Sequence, residues 1–245
     1  MNKKLHLAKE KLIVALDVNT TEAALELVRK LSPRVGMFKV GMQLFYSAGP
    51  DVVRRIKEEG VRVFLDLKLH DIPNTVAQAA RALAGLGADI INVHAAGGTA
   101  MMRAAAGAVR ERAAALGLPA PLVISVTVLT SIDQPVFQQE LGYSGDIQGK
   151  VRAWAILTKE AGLDGVVASP KEIAVIREAC GDDFKIITPG IRPAWSVSDD
   201  QKRIMTPAEA IDQGASYLVV GRPVTGDADP SAAAQKILSE MAEVL

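Results

Sequence analysis

Residues 61–75 read Val-Arg-Val-Phe-Leu-Asp-Leu-Lys-Leu-His-Asp-Ile-Pro-Asn-Thr. An apolar run at 61–65 opens a strand expected over 61–69. Pro73 opens a helix expected over 75–86, because proline is tolerated in a helix's first turn. One strand handing over to one helix is the unit from which the rest of the chain is built. Side chains two apart on a strand share a face, so Asp66 and Lys68 project with Phe64 and Arg62, while Leu65, Leu67 and Leu69 face the other way. Buried charges persist only when paired or hydrogen-bonded. Asp66 and Lys68 therefore form either a structural ion pair or part of a site.

Outward from this stretch the same unit recurs. Short apolar runs predict strands at 12–18, 37–42, 61–69, 89–95, 121–129, 165–168, 185–188 and 217–220. Helical spacing and capping residues predict helices ending near Leu31 and at 49–59, 75–86, 100–116, 146–161, 170–179, 207–213 and 230–244. Residues 130–145 and 192–203 read as irregular and polar. Regular β/α alternation demands a parallel sheet with helices outside it. Eight units in 245 residues match the α/β class and a single-domain (β/α)8, or TIM, barrel over 11–245, behind a polar lead-in at 1–10. No G-x-G-x-x-G follows the first strand, so an open dinucleotide-binding sheet lacks its fingerprint. No linker, low-complexity segment or close repeat is evident.

Composition narrows the class further. The 28 basic and 28 acidic side chains cancel, which gives no global field for nucleic acid or an anionic membrane surface. No apolar run approaches the roughly 18 residues that a membrane span needs. Cys180 is the only cysteine, so no intrachain disulfide can form, which fits a reducing compartment. Residues 1–11 are lysine-rich and lack the apolar segment of a signal peptide. These features predict a soluble, cytoplasmic protein.

Active sites of such barrels lie at the C-terminal strand ends. There the chain delivers Asp17, Lys39, Asp66 and Lys68, with Asp71 just beyond; then Asn92 and His94; Thr127 and Thr130; Thr188-Pro189-Gly190-Ile191-Arg192; and Val220-Gly221-Arg222-Pro223. Barrels often bind phosphate in the loops after strands seven and eight. Gly190 and Gly221 would let backbone N–H groups approach an anion, and Arg192 or Arg222 would add a charged fork. The plainer reading is turn glycines and solvated loop arginines. Lys39, Asp66, Lys68 and Asp71 are either an ion-pair filling of the barrel or its chemistry. Barrel interiors are mainly Val, Ile and Leu, which makes four charges an expensive filling. A lysine between carboxylates suits a proton donor better than a Schiff-base nucleophile, which must first lose its proton. His6, His70 and His94 lack zinc spacing and no metal site stands out; a magnesium held by carboxylates stays open. His94 reads as a structural hydrogen-bonding residue.

At these residues the chain resembles the orotidine 5'-monophosphate decarboxylase family, over nearly its whole length. The resemblance rests on 66–75 (DLKLHDIPNT), 126–131 (VTVLTS), 188–192 (TPGIR), 201–207 (QKRIMTP) and 219–223 (VVGRP). It implies conversion of orotidine 5'-monophosphate to UMP without metal or cofactor. By resemblance, Lys68 delivers a proton to C6 of the pyrimidine and Asp66 lies beside the departing carboxylate. Lys39 contacts Asp66 and the ribose. Asp71 and Thr75 reach the other subunit of a homodimer. Asp17 holds a ribose hydroxyl, Thr130 or Ser131 the pyrimidine, and Pro189 adds a substrate contact. Gln201, Gly221 and Arg222 hold the phosphate, with Arg192 at the same end and 193–201 as a lid. Two alternatives remain at this stage. One is a related barrel enzyme, a magnesium-dependent decarboxylase or aldolase of a keto-sugar phosphate, which would share D-x-K-x-x-D. The other is a non-catalytic nucleotide-binding protein.

Overall fold

Eight short runs rich in Val, Ile and Leu pair side by side and close on themselves. They are β1 (Leu12–Ala15), β2 (Met37–Gly41), β3 (Arg62–Leu69), β4 (Ile90–His94), β5 (Leu122–Val126), β6 (Gly165–Val167), β7 (Lys185–Thr188) and β8 (Tyr217–Val220). All pairings are parallel and follow sequence order, and β1 closes the barrel on β8. The structure is a computed structural model and describes residues 3–195 and 205–245. Eleven α-helices accompany the strands among these residues: α1 (Lys3–Lys11), α2 (Thr21–Leu31), α3 (Met42–Ala48), α4 (Asp51–Glu58), α5 (Pro73–Ala84), α6 (Gly98–Leu116), α7 (Ile147–Glu160), α8 (Ile173–Cys180), α9 (Pro207–Asp212), α10 (Arg222–Thr225) and α11 (Pro230–Glu243). None is long and apolar enough to cross a membrane.

Two separate cores follow from the two faces of each strand. The outer faces meet the helices in one large layer containing Leu12, Val14, Phe38, Val63, Leu65 and Ile91. The inner faces fill the barrel with Ile13, Ala15, Met37, Phe64, Ile90, Ile124, Ile187 and Val219. This plug forms the floor of the site. Two residues further along, the same inward register delivers Asp17, Lys39, Asp66, Asn92, Pro189 and Gly221.

The opposite rim carries a recurring bond. Asp89 Oδ2 accepts the Val63 N–H at 2.7 Å, Asp164 Oδ2 accepts the Val123 N–H at 2.7 Å, and Ser216 Oγ accepts the Ile186 N–H at 3.1 Å. Each acceptor directly precedes β4, β6 or β8 and follows a left-handed glycine two residues back (Gly87, Gly162, Gly214). Gly-Ala-Asp, Gly-Leu-Asp and Gly-Ala-Ser are thus a short repeat, where sequence alone shows none. Its uneven spacing hides it.

Local structure departs from expectation or adds to it in several places, among them a π-helical turn at Val136–Glu140 inside the stretch expected to be irregular. Residues 3–11, within and just beyond the polar lead-in, form a helix for which no expectation was set; α1 packs on α11 and buries Ala8. The region after β2 contains two helices, α3 and α4, broken at Gly49-Pro50. The four-residue α10 begins at Arg222, directly after β8. Thr20 Oγ1 accepts the Ala23 N–H at 3.2 Å and Pro73 takes the first position of α5, as read; Asp146, expected inside α7, is instead its N-cap.

Candidate active site

The end of β3 is irregular. Leu65 pairs with Ile91 and Leu69 with Val93, so residues 66–68 of β3 lie opposite Asn92 alone. This is a β-bulge, which re-aims side chains beside sites. Lys68 takes φ +54° there, the one non-glycine residue with positive φ among the described residues. Such a conformation costs about 1–3 kcal/mol and persists only where the surroundings enforce it. The Lys68 N–H, without a ladder partner, donates to Asn92 Oδ1 at 2.8 Å.

The charged side chains form a row. Lys68 Nζ donates to Asp66 Oδ1 at 2.7 Å, and Asn92 Nδ2 donates to the same oxygen at 2.6 Å. Lys39 Nζ stands 3.5 Å from Asp66 Oδ2 and 3.4 Å from Asp17 Oδ1. Asp66 is 8% exposed. Burial alone would raise its pKa. The charges of Lys39 and Lys68, with the hydrogen bonds from Lys68 and Asn92, together outweigh burial and hold the carboxyl below its ordinary range.

This row borders a cavity of about 300 Å³ at the C-terminal strand ends. Asp17, Lys39, Asp66 and Lys68 line one part of the wall; Thr130, Ser131, Pro189, Arg192, Gly221 and Arg222 also line it. Phe64, Val126, Val167 and Val219 close the apolar floor. Gly190 adopts φ +79°, which an L side chain rarely takes, so the chain can turn sharply after β7. The Gly190–Arg192 backbone is pinned to Met205: Arg192 N–H donates to Met205 O at 3.0 Å and Met205 N–H to Gly190 O at 3.4 Å. Arg192 is thereby held at 7% exposure against the cavity.

Most residues expected at the site are thus gathered around one cavity. Asp71 and Thr75 are not: both are exposed and line no part of it. Asp71 Oδ1 accepts the Ile72 N–H at 2.7 Å. Gln201 and most of the expected lid at 193–201 lie outside the described residues. Asn92 was the residue whose part sequence reading missed. Its signal was present, as a polar residue two beyond Ile90 on the inward register. Thr127 bonds the Val167 carbonyl at 2.9 Å and serves the β5–β6 seam. Among the described residues no three His, Cys, Asp or Glu side chains gather into a group that could hold a metal.

His94 lies outside the cavity wall, with its ring centroid 5.4 Å from that of His70. Burial first, then the neighbouring His70 and Lys68, push its pKa down to about 4. Between about pH 6.5 and that value the unfolded chain binds a proton that the folded chain refuses. Stability therefore falls as pH drops through this window. His94→Gln should flatten the decline, read from urea midpoints at about pH 7 and about pH 4.5; an unchanged slope would remove His94 as its source.

A closed α/β barrel with a lysine–carboxylate row and two arginine-bearing loops around one cavity defines an enzyme of the barrel class. Comparison with known proteins then gives the lineage. The family model described as "Orotidine 5'-phosphate decarboxylase / HUMPS family" matches residues 10–237, and the chain belongs to that family. A protein of Moorella thermoacetica named orotidine 5'-phosphate decarboxylase is 61% identical over 234 residues, covering 96% of this chain and 93% of that one. One of the same name from Syntrophomonas wolfei is 54% identical over 237 residues, covering 96% and 99%. The crystal structure of orotidine 5'-phosphate decarboxylase from Lactobacillus acidophilus superposes with a TM-score of 0.81 at 41% identity, covering 94% of this chain and 98% of that one.

Proposed function

We propose that the protein decarboxylates orotidine 5'-monophosphate to UMP, the closing step of de novo pyrimidine synthesis, without metal or cofactor. The observation that carries this reading is the Lys39–Asp66–Lys68 row on the wall of a cavity that Arg192 and Arg222 also line. In the reaction the bond between C6 and the carboxylate breaks and both electrons stay on C6. Carbon dioxide leaves, and the Lys68 ammonium gives its proton to C6. Lysine then regains a proton from solvent. The electron pair lies in the ring plane, where the ring delocalises it poorly, so a fixed ammonium beside C6 stabilises charge as it develops. Repulsion between Asp66 and the substrate carboxylate is a smaller contribution. At about 4 Å and an effective dielectric near 20 it amounts to roughly 4 kcal/mol, against the about 8–23 kcal/mol that enzymes typically supply.

In the same reading Asp17 and Lys39 hold the ribose, Thr130 or Ser131 the pyrimidine, and Arg192, Gln201, Gly221 and Arg222 the phosphate end, with Pro189 a further substrate contact. Phosphate binding energy is then available for closing residues 193–201 over a dry site. A cytoplasmic homodimer completes the picture, with Asp71 and Thr75 reaching the partner's cavity. Apolar exposure supports it: Met42 is 45%, Tyr46 71% and Ile72 67% exposed, and all three follow β2 or β3 at the site end of the barrel. The test is loss of orotidine 5'-monophosphate absorbance on adding purified protein treated with chelator. Turnover is expected at full rate. Inactivity of folded protein would overturn the reading, and recovery only with magnesium would favour a metal-dependent relative.

A further inference from the structure

The side chain of Asn92 is fully buried and takes no part in lining the cavity, yet it engages both charged residues at its edge. Its Oδ1 accepts the Lys68 backbone N–H at 2.8 Å and its Nδ2 donates to Asp66 Oδ1 at 2.6 Å. A side-chain amide offers an acceptor oxygen and a donor nitrogen side by side on one short side chain. The orientation follows from the partners, since a backbone N–H can only donate and an ionised carboxylate can only accept. The bulge makes this bond necessary: three residues of β3 stand opposite this single residue of β4, and Lys68 is in the left-handed region.

We propose that Asn92 is a positioning residue that locks the Lys68 backbone turn and the Asp66 carboxylate into one unit, and so aims the Lys68 ammonium at the reacting carbon. This rests on the decarboxylase reading. With Oδ1 of Asp66 held by Lys68 and Asn92, Oδ2 is left facing Lys39 at 3.5 Å. Without Asn92, the bulge N–H loses its acceptor, Lys68 can relax toward an ordinary strand conformation, and the ammonium moves off its line. Misplacement of a reacting group by about 1 Å is enough to cost about 10²-fold in rate.

The experiment compares wild type, Asn92→Ala and Asn92→Asp for turnover of orotidine 5'-monophosphate, and for UMP binding by calorimetry, with circular dichroism to establish folding. Asn92→Asp keeps the shape and the acceptor for Lys68 but replaces the donor to Asp66 with a second carboxylate. Both variants should lose about 10²-fold in kcat, with KM and the UMP dissociation constant within about threefold of wild type. A purely architectural residue would move binding and turnover together, or would prevent folding of both variants; either result overturns the proposal. Folded variants with wild-type kcat overturn it as well. An inactive wild type sinks the decarboxylase reading and this inference with it, whereas an active wild type with unimpaired variants sinks this inference alone.

Discussion

Replacing Lys68 with alanine is expected to lower turnover of orotidine 5'-monophosphate about 10⁴-fold or more, while the dissociation constant for UMP changes less than about tenfold. The loss is large because, in the proposed mechanism, one group does two things. As a fixed ammonium it stabilises charge forming at C6, and removing a donor of this kind typically costs about 10²–10³-fold. As a general acid it supplies the proton, a contribution of about 10²–10⁴-fold. UMP carries no C6 carboxylate, so its binding draws mainly on the ribose and phosphate contacts. Lys68→Arg should not rescue turnover. Guanidinium is planar, larger and very reluctant to release a proton. Single-turnover assays separate the loss in the chemical step from any change in binding or product release. Near-normal turnover in Lys68→Ala would remove this residue from its assigned role.

Asp71→Ala is expected to lose less, but still about 10²–10³-fold, although Asp71 is exposed in its own chain. The reason is the proposed dimer, in which the carboxylate becomes a buried partner of charges in the neighbouring site. Breaking one partner of a buried charge network costs about 3–5 kcal/mol. Complementation gives the sharper result. Equal amounts of inactive Lys68→Ala and Asp71→Ala protein, unfolded and refolded together, should regain about a quarter of wild-type activity. Half of the dimers then pair unlike chains, and one of the two sites in each such dimer is intact. If mass spectrometry of the refolded mixture shows mixed dimers and no activity returns, the sites are not shared.

How far the sequence could be read depended on how local the governing interaction was. The eight strands were legible because each is a compact apolar run, and β7 and β8 have the boundaries expected from sequence. Helix α3 was not, because Met42–Ala48 is only seven residues long and follows β2 with no intervening turn residue. Helix α1 was obscured by its lysines, since its anchor on α11 is a contact between opposite ends of the chain. At the site, strict alternation placed Asp66 and Lys68 together, and they do meet. The backbone arrives there by a bulge and a left-handed lysine, which alternation cannot foresee. Asn92 was in view as a strand end, but its two bonds depend on the β3–β4 register. Asp71 shows the limit most plainly: nothing in a single chain, read or folded, gives it a ligand.

The three rim bonds at Asp89, Asp164 and Ser216 bear on how such a barrel can change over time. Each ties the base of an odd-numbered strand to the residue entering the next even one, at the end of the barrel away from the cavity. The bases of β3 to β8 are thus laced in pairs without help from any loop that meets the ligand. Loops at the cavity end can be lengthened, shortened or exchanged while these pairs hold their register. A designer seeking a new specificity on this scaffold should keep the three glycine-led triplets and vary the opposite face.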